Sequence, residues 1–216
     1  NINDKLIERF SKNISNNINL SNYSWFNLGG PAEYLFRPES KNQLIDFLKF
    51  NKRDKYKITI LGAGSNTLIR DNGIKGVVIK LSSNFSFINL KDKNIIEVGA
   101  ATLDKKISSF AQENGLADFE FLSCIPGSIG GAVIMNSGCY GNDVSKILVS
   151  INIIDIHDCT EKEIKRDEID FAYRGSSLPK DMIITSVKLK GTKKAKELIK
   201  KKQIELIERK KLSQPN

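Results

Sequence analysis

The order of strand-like and helix-like segments predicts an α+β fold. Strands and helices are mixed without the strict alternation that a doubly wound parallel sheet requires. The glycine-rich segment at 61–67 follows a strand-like run, but a short strand and a turn come next, where a Rossmann fold needs a helix. The composition, 40% hydrophobic and 27% charged over 216 residues, is ordinary for one large or two small globular domains.

The first part of the chain has two helix signals between strand-like runs. A short helix is predicted around Asp4 to Ser11. Ser40, with Gln43 three residues later, forms a capping box that predicts a second helix as far as Phe50. The strand-like runs lie at 33–37, 57–61 and 74–81.

The second part begins near Ser82. Thr102 is predicted to cap a helix that ends at Gly115, where glycine suits a left-handed C-cap. A basic helix is predicted at the end of the chain. The strand-like runs lie at 94–98, 146–156 and 182–189, and the apolar residues expected on one face of the last helix are Ala195, Leu198, Ile199 and Leu206. The predicted division is a first subdomain at 1–81, a second at 82–191, and the basic helix at 192–216.

The positive charge of the chain is concentrated near that helix. Of the formal net charge of +9, residues 188–211 supply a surplus of eight, from eleven Lys or Arg and three Glu. No aromatic residues interleave with these basic residues, as a stacking surface for nucleic acid would require. A solvated helix is the favoured interpretation, and binding to a polyanion is the weaker one.

The cysteines, the histidine and the hydrophobic runs indicate a reduced protein without a metal site. Cys124, Cys139 and Cys159 are odd in number and form no CxxC pair, so neither a disulfide framework nor a zinc site is expected. His157 lies in an alternating stretch and is predicted to be a strand residue. No apolar run reaches the roughly 18 residues of a membrane span, and the N-terminus has no secretory pattern, so we expect a cytoplasmic protein.

Two glycine clusters are candidates for ligand binding. The first glycine loop, Leu61-Gly62-Ala63-Gly64-Ser65-Asn66-Thr67, has threonine where a dinucleotide fingerprint needs its third glycine. Its backbone N–H groups can still form a nest for a phosphate, to which Ser65, Asn66 and Thr67 add side-chain donors. A tight turn with only a structural role is the alternative.

The second glycine loop runs from Ser123 to Ala132 and continues through Asn136 to Asn142. It has five glycines between Gly127 and Gly141 and almost no charge, which suits close approach of the backbone to a flat, bulky ligand. Structural glycines at strand corners are the alternative, and neither loop by itself identifies its ligand.

Taken together and in this order, the two loops resemble the family of UDP-N-acetylenolpyruvoylglucosamine reductases. The resemblance rests on Gly-Ala-Gly-Ser-Asn at 62–66, Ile-Pro-Gly-Ser-Ile-Gly-Gly-Ala at 125–132 and Asn-Ser-Gly-Cys-Tyr-Gly at 136–141. Trp-Phe-Asn-Leu-Gly-Gly-Pro-Ala at 25–32 and Phe-Ala-Tyr-Arg-Gly-Ser at 171–176 support it. It extends from about Ser21 to the last residue.

This resemblance implies an FAD-binding fold of the vanillyl-alcohol-oxidase (PCMH) type, with two α+β subdomains and the flavin between them. FAD would be the tightly bound cofactor, and NADPH would be the co-substrate that reduces it. The implied FAD contacts are Leu61, Gly62, Ala63, Gly64, Ser65, Asn66 and Thr67 in the first loop, and Pro126, Gly127, Ser128, Gly130, Gly131, Ala132, Asn136 and Gly138 in the second.

The implied reaction is the reduction of UDP-N-acetylglucosamine enolpyruvate to UDP-N-acetylmuramate, a step of peptidoglycan synthesis that serves the cell wall, cell shape and cell division. Arg174, with Tyr173 beside it, matches the arginine that would hold the substrate carboxylate, since a guanidinium fork suits a carboxylate. An ion pair of Arg174 with Asp170 or Glu168 is the alternative, with a structural role only.

Two catalytic parts of the family have no counterpart in this sequence. These are the proton-donor serine of a Gly-Ser-x-Phe-Lys-Asn-Pro segment and a glutamate near the C-terminus, and Ser213 does not match the serine. We therefore expect a C-terminally truncated FAD-binding part, followed in the family by a substrate-binding domain, that does not turn over substrate alone.

Two other functions stay open at this point. Another flavin oxidase of the same fold, such as a sugar or lactone oxidase, would share the glycine loops but would not need the Tyr-Arg-Gly-Ser stretch. A non-enzymatic basic binding module would use the loops only as structure and would be colourless. For the reductase we expect a monomer that binds NADPH and the enolpyruvyl sugar, and neither nucleic acid nor a membrane.

Overall fold

The computed structural model describes residues 2–19, 31–54, 56–62, 74–171, 179 and 181–214. Within them, five α-helices accompany one four-stranded sheet, one five-stranded sheet and two short strand pairs. The described strands do not alternate with helices, and parallel pairing is confined to the first sheet. The predicted α+β class is therefore confirmed.

The first sheet has the strand order β1-β2-β4-β3. Strand β1 (Ile14–Asn19) is antiparallel to β2 (Pro31–Phe36), whereas β2 and β3 (Ile58–Leu61) both pair in parallel with β4 (Ile74–Lys80). The run Val77–Ile79 in β4 is fully buried, as expected for a strand that has neighbours on both sides and a covered face. The C-terminal end of β3 leads directly into Gly62, so this sheet positions the start of the first glycine loop.

Two helices cover this sheet, α1 (Ile2–Phe10) and α2 (Lys41–Asp54). The rings of Phe10, Phe36 and Phe47 pack with centroid distances of 4.7–5.6 Å, which joins both helices to β2. One half of the predicted capping box of α2 is present, because the Ser40 Oγ accepts the N–H of Gln43 at 3.1 Å. The Gln43 side chain accepts the N–H of Glu39 at 2.7 Å in place of the N–H of Ser40, and the helix continues four residues beyond the predicted end at Phe50.

The second sheet is antiparallel throughout, with the strand order β11-β10-β12-β6-β5. Its strands are β5 (Ile88–Leu90), β6 (Ile95–Gly99), β10 (Leu148–Asp155), β11 (Thr160–Lys165) and β12 (Met182–Lys190). The central strand β12 has six consecutive buried residues at its start. Buried residues of both sheets belong to one hydrophobic cluster, and the division into subdomains near Ser82 stays a prediction.

Three further α-helices, two strand pairs and four short 3-10 helices also belong to the described fold. The helices are α3 (Asp104–Glu113), α4 (Ile129–Met135) and α5 (Lys196–Ser213). The strand pairs are β7 (Leu116–Ala117) with β13 (Thr192–Lys193), and β8 (Gly138–Cys139) with β9 (Asn142–Asp143). The sequence did not predict α4, because its Gly130-Gly131 pair has low helix propensity and tertiary packing decides the outcome there.

The basic helix α5 is present, but its buried face differs from the predicted one. Ile199 and Leu206 are buried as expected, whereas Ala195 and Leu198 are exposed. The third buried residue is Gln203, whose Nε2 donates to the carbonyl of Ser108 at 3.0 Å and to its Oγ at 2.8 Å. A polar side chain that hydrogen-bonds to α3 therefore replaces the apolar contact that the pattern predicted.

Two local predictions were wrong. Thr102 does not cap α3, which begins at Asp104, because the Thr102 hydroxyl is hydrogen-bonded to the backbone N–H and C=O of Phe87 at 3.0 and 3.1 Å. His157 lies in a turn between β10 and β11, since the Asp155 carboxylate accepts the His157 N–H and ends the strand. Its exposed ring nitrogen is 2.7 Å from Asp181.

The three cysteines are free thiols, as predicted. Among the helices that the structure describes, none is long and apolar enough to cross a bilayer. The described residues also contain no group of three or more His, Cys, Asp or Glu side chains that could hold a metal ion.

Candidate functional site

The first glycine loop leaves β3 through a left-handed glycine. Strand β3 ends at Leu61, and Gly62 has a φ of +85°, a conformation that residues with a Cβ rarely adopt. The turn therefore requires glycine at this position. Ala63, Gly64, Ser65, Asn66 and Thr67 lie outside the described residues, so their proposed contacts with a phosphate remain predictions.

The second glycine loop leads into the short helix α4. Gly127 has a φ of +102°, and the helix runs from Ile129 to Met135, after which the C-cap residue Asn136 is left-handed with a φ of +45°. Pro126 is exposed at the start of this turn, whereas Gly130 and Ala132 are buried. Of the predicted FAD contacts in this loop, Pro126 therefore lies at the surface, whereas Gly130 and Ala132 lie beneath it.

A neighbouring segment, residues 100–104, fixes the start of α4 through backbone hydrogen bonds. We call this segment the loop clamp. The Asp104 N–H donates to the carbonyl of Gly127 at 3.0 Å, and the N–H groups of Ile129 and Gly130 donate to the carbonyls of Thr102 and Ala100, both at 2.9 Å. Because these bonds engage the first N–H groups of the helix, the clamp sets the position of the whole loop.

The structure brings the two glycine loops into contact. A Cβ added to Gly131 would lie 2.8 Å from the carbonyl oxygen of Gly62, a separation that real Cβ atoms essentially never show. The Oγ of Ser128 lies 3.9 Å from the ideal Cβ position of Gly62. Residues almost seventy positions apart in sequence thus meet at one place, and only glycine allows the backbones to approach so closely.

The donors at this contact suit an anionic, phosphate-containing ligand. Among the described residues, the N–H of Gly131 has no backbone hydrogen-bond acceptor, and the Gly127 carbonyl, its expected acceptor in a helix, accepts the N–H of Asp104. The partly exposed Ser128 hydroxyl lies beside Gly62. Free backbone N–H groups and a hydroxyl are the donors that protein sites present to phosphates.

A cleft of about 540 Å³ is lined mostly by residues of the second loop. Three of the predicted residues line it, namely Pro126, Asn136 and Gly138. Two of these also have structural roles. The Asn136 side chain accepts the N–H of Ser145 at 3.0 Å, and a Cβ on Gly138 would lie 2.4 Å from the carbonyl oxygen of Asn142.

The C-terminal helix supplies residues of this cleft that sequence reasoning missed. Lys210 lines the cleft and donates a hydrogen bond to the carbonyl of Cys124. The Arg209 guanidinium lies 4.3 Å from the centre of the Tyr140 ring, and the Tyr140 hydroxyl is 3.2 Å from the Ser213 Oγ. The run of lysines indicated only a charged helix, because no periodicity shows which of them turns toward the protein.

Two thiols, those of Cys124 and Cys139, also line the cleft. Burial, and after it the neighbouring Cys124 thiol, raise the pKa of Cys139 to about 11, although Lys210 and Arg209 act in the opposite direction. Cys139 therefore stays a neutral thiol near physiological pH and is not a nucleophile of this site.

The predicted catalytic residues Tyr173 and Arg174 lie outside the described residues. The chain just before them is anchored by Arg166, which donates to the carbonyl of Ser145 at 2.9 Å and lies 4.8 Å from the centre of the Phe171 ring. The Glu168 carboxylate, one alternative partner for Arg174, accepts the N–H of Lys165 at 2.7 Å.

Comparison with known proteins assigns the fold and the two loops to a class. Residues 32–163 match the FAD binding domain family, and this range contains both glycine loops. A crystal structure of UDP-N-acetylenolpyruvylglucosamine reductase (MurB) from Thermus caldophilus superposes with a TM-score of 0.75 at 32% identity, over 92% of this chain and 70% of that one. The protein therefore has an α+β FAD-binding fold.

Curated relatives specify the family within this class. The reductase of Pelagibacter ubique (strain HTCC1062) is 46% identical over 97% of this chain and 70% of its own length. Those of Rickettsia bellii (strain RML369-C) and Rickettsia akari (strain Hartford) are 46% and 44% identical, over 81% and 91% of this chain and 57% and 66% of their own lengths. The chain belongs to the UDP-N-acetylenolpyruvoylglucosamine reductase family of FAD-dependent oxidoreductases and spans 57–70% of the length of these relatives.

Proposed function

We propose that this chain is the FAD-binding part of an enzyme that uses NADPH to reduce UDP-N-acetylglucosamine enolpyruvate to UDP-N-acetylmuramate in peptidoglycan synthesis. The observation that supports it most is the contact between Gly131 and the carbonyl of Gly62. It joins two motifs that are unremarkable separately and that the family resemblance assigns to one cofactor.

The proposed cofactor site lies between the residues 1–81 and 82–191, as the predicted subdomain division requires. Gly62, Ser128 and Gly131 would face the pyrophosphate of FAD, because they combine close backbone approach with an N–H and a hydroxyl donor. Pro126, Asn136 and Gly138 would line the flavin ring from the cleft. Bound FAD supplies the hydride chemistry, which no side chain can provide.

The chain's own contribution to the reaction would be to hold the substrate carboxylate. We assign this role to Arg174, with Tyr173 beside it, since a guanidinium fork binds a carboxylate through two parallel hydrogen bonds. Reduction of the enolpyruvyl group increases negative charge next to that carboxylate, and a fixed cation stabilises it most where water is excluded. The proton donor is not assigned to any residue of this sequence.

Binding of FAD is the first test of this proposal. The purified chain, stripped of any bound flavin and titrated with FAD, should quench flavin fluorescence at a ratio of one FAD per chain and show the visible flavin absorbance. A chain that takes up no FAD would contradict the proposal and would favour the non-enzymatic basic module. That module should instead bind oligonucleotides in a salt-sensitive manner.

The reductase and another flavin oxidase differ in the electron acceptor that reoxidises the reduced flavin. Under anaerobic conditions NADPH should bleach the bound flavin if the reductase is correct, and the enolpyruvyl sugar should restore its colour only slowly, because the proton-donor serine of the family has no counterpart in this sequence. Restoration by oxygen with a sugar or lactone as reductant would indicate the oxidase. The same assay tests the expectation that this chain alone does not turn over, which sustained NADPH consumption with the sugar would contradict.

Protection of Cys139 tests whether the cleft is part of the flavin site. Without FAD, Cys139 should react slowly with a thiol reagent near neutral pH and faster as the pH rises toward its raised pKa of about 11. FAD at about ten times its Kd should slow this reaction about tenfold, because only the FAD-free fraction stays accessible. Mass mapping of labelled peptides identifies the modified residue.

The buried Cys159 is the internal control for that experiment. It should stay unlabelled in the folded protein with or without FAD, and should react only after unfolding. Equal labelling of Cys139 in the presence and absence of bound FAD would place the flavin outside this cleft.

A further inference from the structure

Asp104, the first residue of α3, is a buried carboxyl that has no hydrogen-bond partner in the described part of the chain. The residue is 0% exposed, and neither of its carboxyl oxygens accepts a hydrogen bond from a described donor. Burial raises the pKa of Asp104 to about 8, since an unpaired anion in a low-dielectric environment is far more costly than a neutral carboxyl. Buried polar groups in folded proteins normally have partners, so an exception of this kind calls for an explanation.

The position of Asp104 connects it to the second glycine loop. It belongs to the loop clamp, and its own N–H makes the 3.0 Å bond to the carbonyl of Gly127. An isolated bridge between Leu103 and Ser128 pairs the adjacent residues. Movement of Asp104 would therefore be transmitted to the start of α4, and from there to the contact between Gly131 and Gly62.

The elements packed against α3 bring no charge to the Asp104 carboxyl. Neither β7 nor residues 127–130 contain a titratable side chain. The other elements packed against α3 are the short 3-10 helix Glu120–Cys124 and α5, and their titratable side chains that are not exposed are Glu120, Cys124 and Lys210. Glu120 accepts the N–H of Asp118 at 2.9 Å, Lys210 donates to the Cys124 carbonyl, and the charged residues of α3 other than Asp104 are exposed. Burial alone accordingly accounts for the pKa of Asp104.

We propose that Asp104 is a positioning residue of the flavin site, whose proton keeps the loop clamp closed and whose ionisation opens the clamp and weakens the binding of FAD. The ionised carboxylate has no donor within its packed environment and needs water to solvate it. Water enters most readily where packing gives way to hydrogen-bonded loop backbone, which here is the junction with Gly127. The inference rests on the proposed function, because it requires that the second loop binds FAD.

The experiment is the pH dependence of FAD affinity in three proteins: the wild type, Asp104→Asn and Asp92→Asn. Asparagine keeps the size and polarity of the protonated side chain and cannot ionise. If only the protonated form closes the clamp, the wild type should lose about tenfold in affinity from about pH 7 to about pH 9, because the competent fraction falls by that factor. Asp104→Asn should show no such loss.

The control variant Asp92→Asn removes the charge of an exposed aspartate far from the loops in sequence. It should follow the wild-type profile, which separates ionisation of Asp104 from general effects of pH on the protein and on FAD. Equal losses in Asp104→Asn and the wild type would overturn the inference, as would a pH-independent affinity of the wild type. The pH dependence of the wild-type affinity can be measured, and can overturn the inference, even if Asp104→Asn does not fold.

Failure of the proposed function gives a different result. A wild-type protein that binds no FAD at about pH 7, where Asp104 is mostly protonated, would overturn the proposed function and this inference together. Binding at about pH 7 that does not change up to about pH 9 would overturn only the role of Asp104.

Discussion

Replacement of Asp104 by asparagine is expected to stabilise the folded protein by about 4 kcal/mol near pH 7, because each unit of pKa shift corresponds to about 1.4 kcal/mol. The folded state holds a proton on this buried carboxyl with a pKa of about 8, whereas the ordinary value is 3.8. At neutral pH the unfolded chain has released this proton, so folding must take one up. Asparagine has a side chain of similar size that does not ionise, so its burial requires no proton uptake.

The sign of this effect fixes its pH dependence. Below the unfolded pKa both states are protonated and the raised pKa has no cost. Between about pH 4 and about pH 8 the folded state binds the additional proton, so the free energy of unfolding of the wild type falls as the pH rises. Above the folded pKa both states are ionised and the difference between wild type and variant becomes constant.

Urea denaturation of the FAD-free proteins at about pH 4 and about pH 7.5 measures this difference. The free energy of unfolding of Asp104→Asn should equal that of the wild type at the lower pH and exceed it by several kcal/mol at the higher pH. For Asp92→Asn, the difference from the wild type should not increase with pH. A gain that is equal at both pH values would mean that packing, and not the proton, causes it. Unpartnered carboxyls of this cost are characteristic of functional positions, where stability is sacrificed for a role such as the one proposed for the clamp.

Replacement of Gly131 by alanine is expected to separate the two glycine loops. The added methyl group would lie 2.8 Å from the carbonyl oxygen of Gly62, and since that atom belongs to the backbone, one of the loops must move. Overpacking of this kind costs about 1–3 kcal/mol. If the contact forms the flavin site, most of this cost should appear as weaker FAD binding, by about tenfold or more.

A matched control for this variant exists in the same glycine-rich stretch. A Cβ on Gly141 would have no atom within 4 Å, and although its φ is +84°, asparagine tolerates that conformation better than other residues. Gly141→Asn should therefore retain FAD affinity close to that of the wild type. FAD titration of both variants, with urea denaturation to measure stability, distinguishes the outcomes. Unchanged FAD affinity in a folded Gly131→Ala protein would show that the loop contact is not part of the cofactor site.

The C-terminal helix brings positive charge to the cleft, whereas the second glycine loop is almost uncharged. Lys210 lines the cleft, and Arg209, which is exposed like the other charged residues of α5, lies over the ring of the lining residue Tyr140. The charge excess of this segment, which resembled a solvated surface in the sequence, therefore contributes two side chains to the surroundings of the proposed flavin site. Their orientation depends on the packing of Ile199, Gln203 and Leu206.

The sequence by itself determined the α+β class, most strands and helices, and the family, because these depend on local patterns. Runs such as Val77–Ile79 are apolar enough to require burial, and the capping side chains of Ser40 and Gln43 act within a few residues of one another. The order of the glycine motifs was equally readable, since the family resemblance depends only on residues and spacing.

Only the tertiary structure decided what the glycines contact and which polar groups lack partners. Helix α4 forms despite Gly130 and Gly131 because neighbouring elements pack against it. Thr102 does not cap α3 because its hydroxyl is hydrogen-bonded to the backbone N–H and C=O of Phe87. The burial of Asp104 and the approach of Gly131 to Gly62 arise between segments distant in the chain. No local pattern encodes such contacts, because they depend on how separate elements pack, and it is these contacts that define the proposed flavin site.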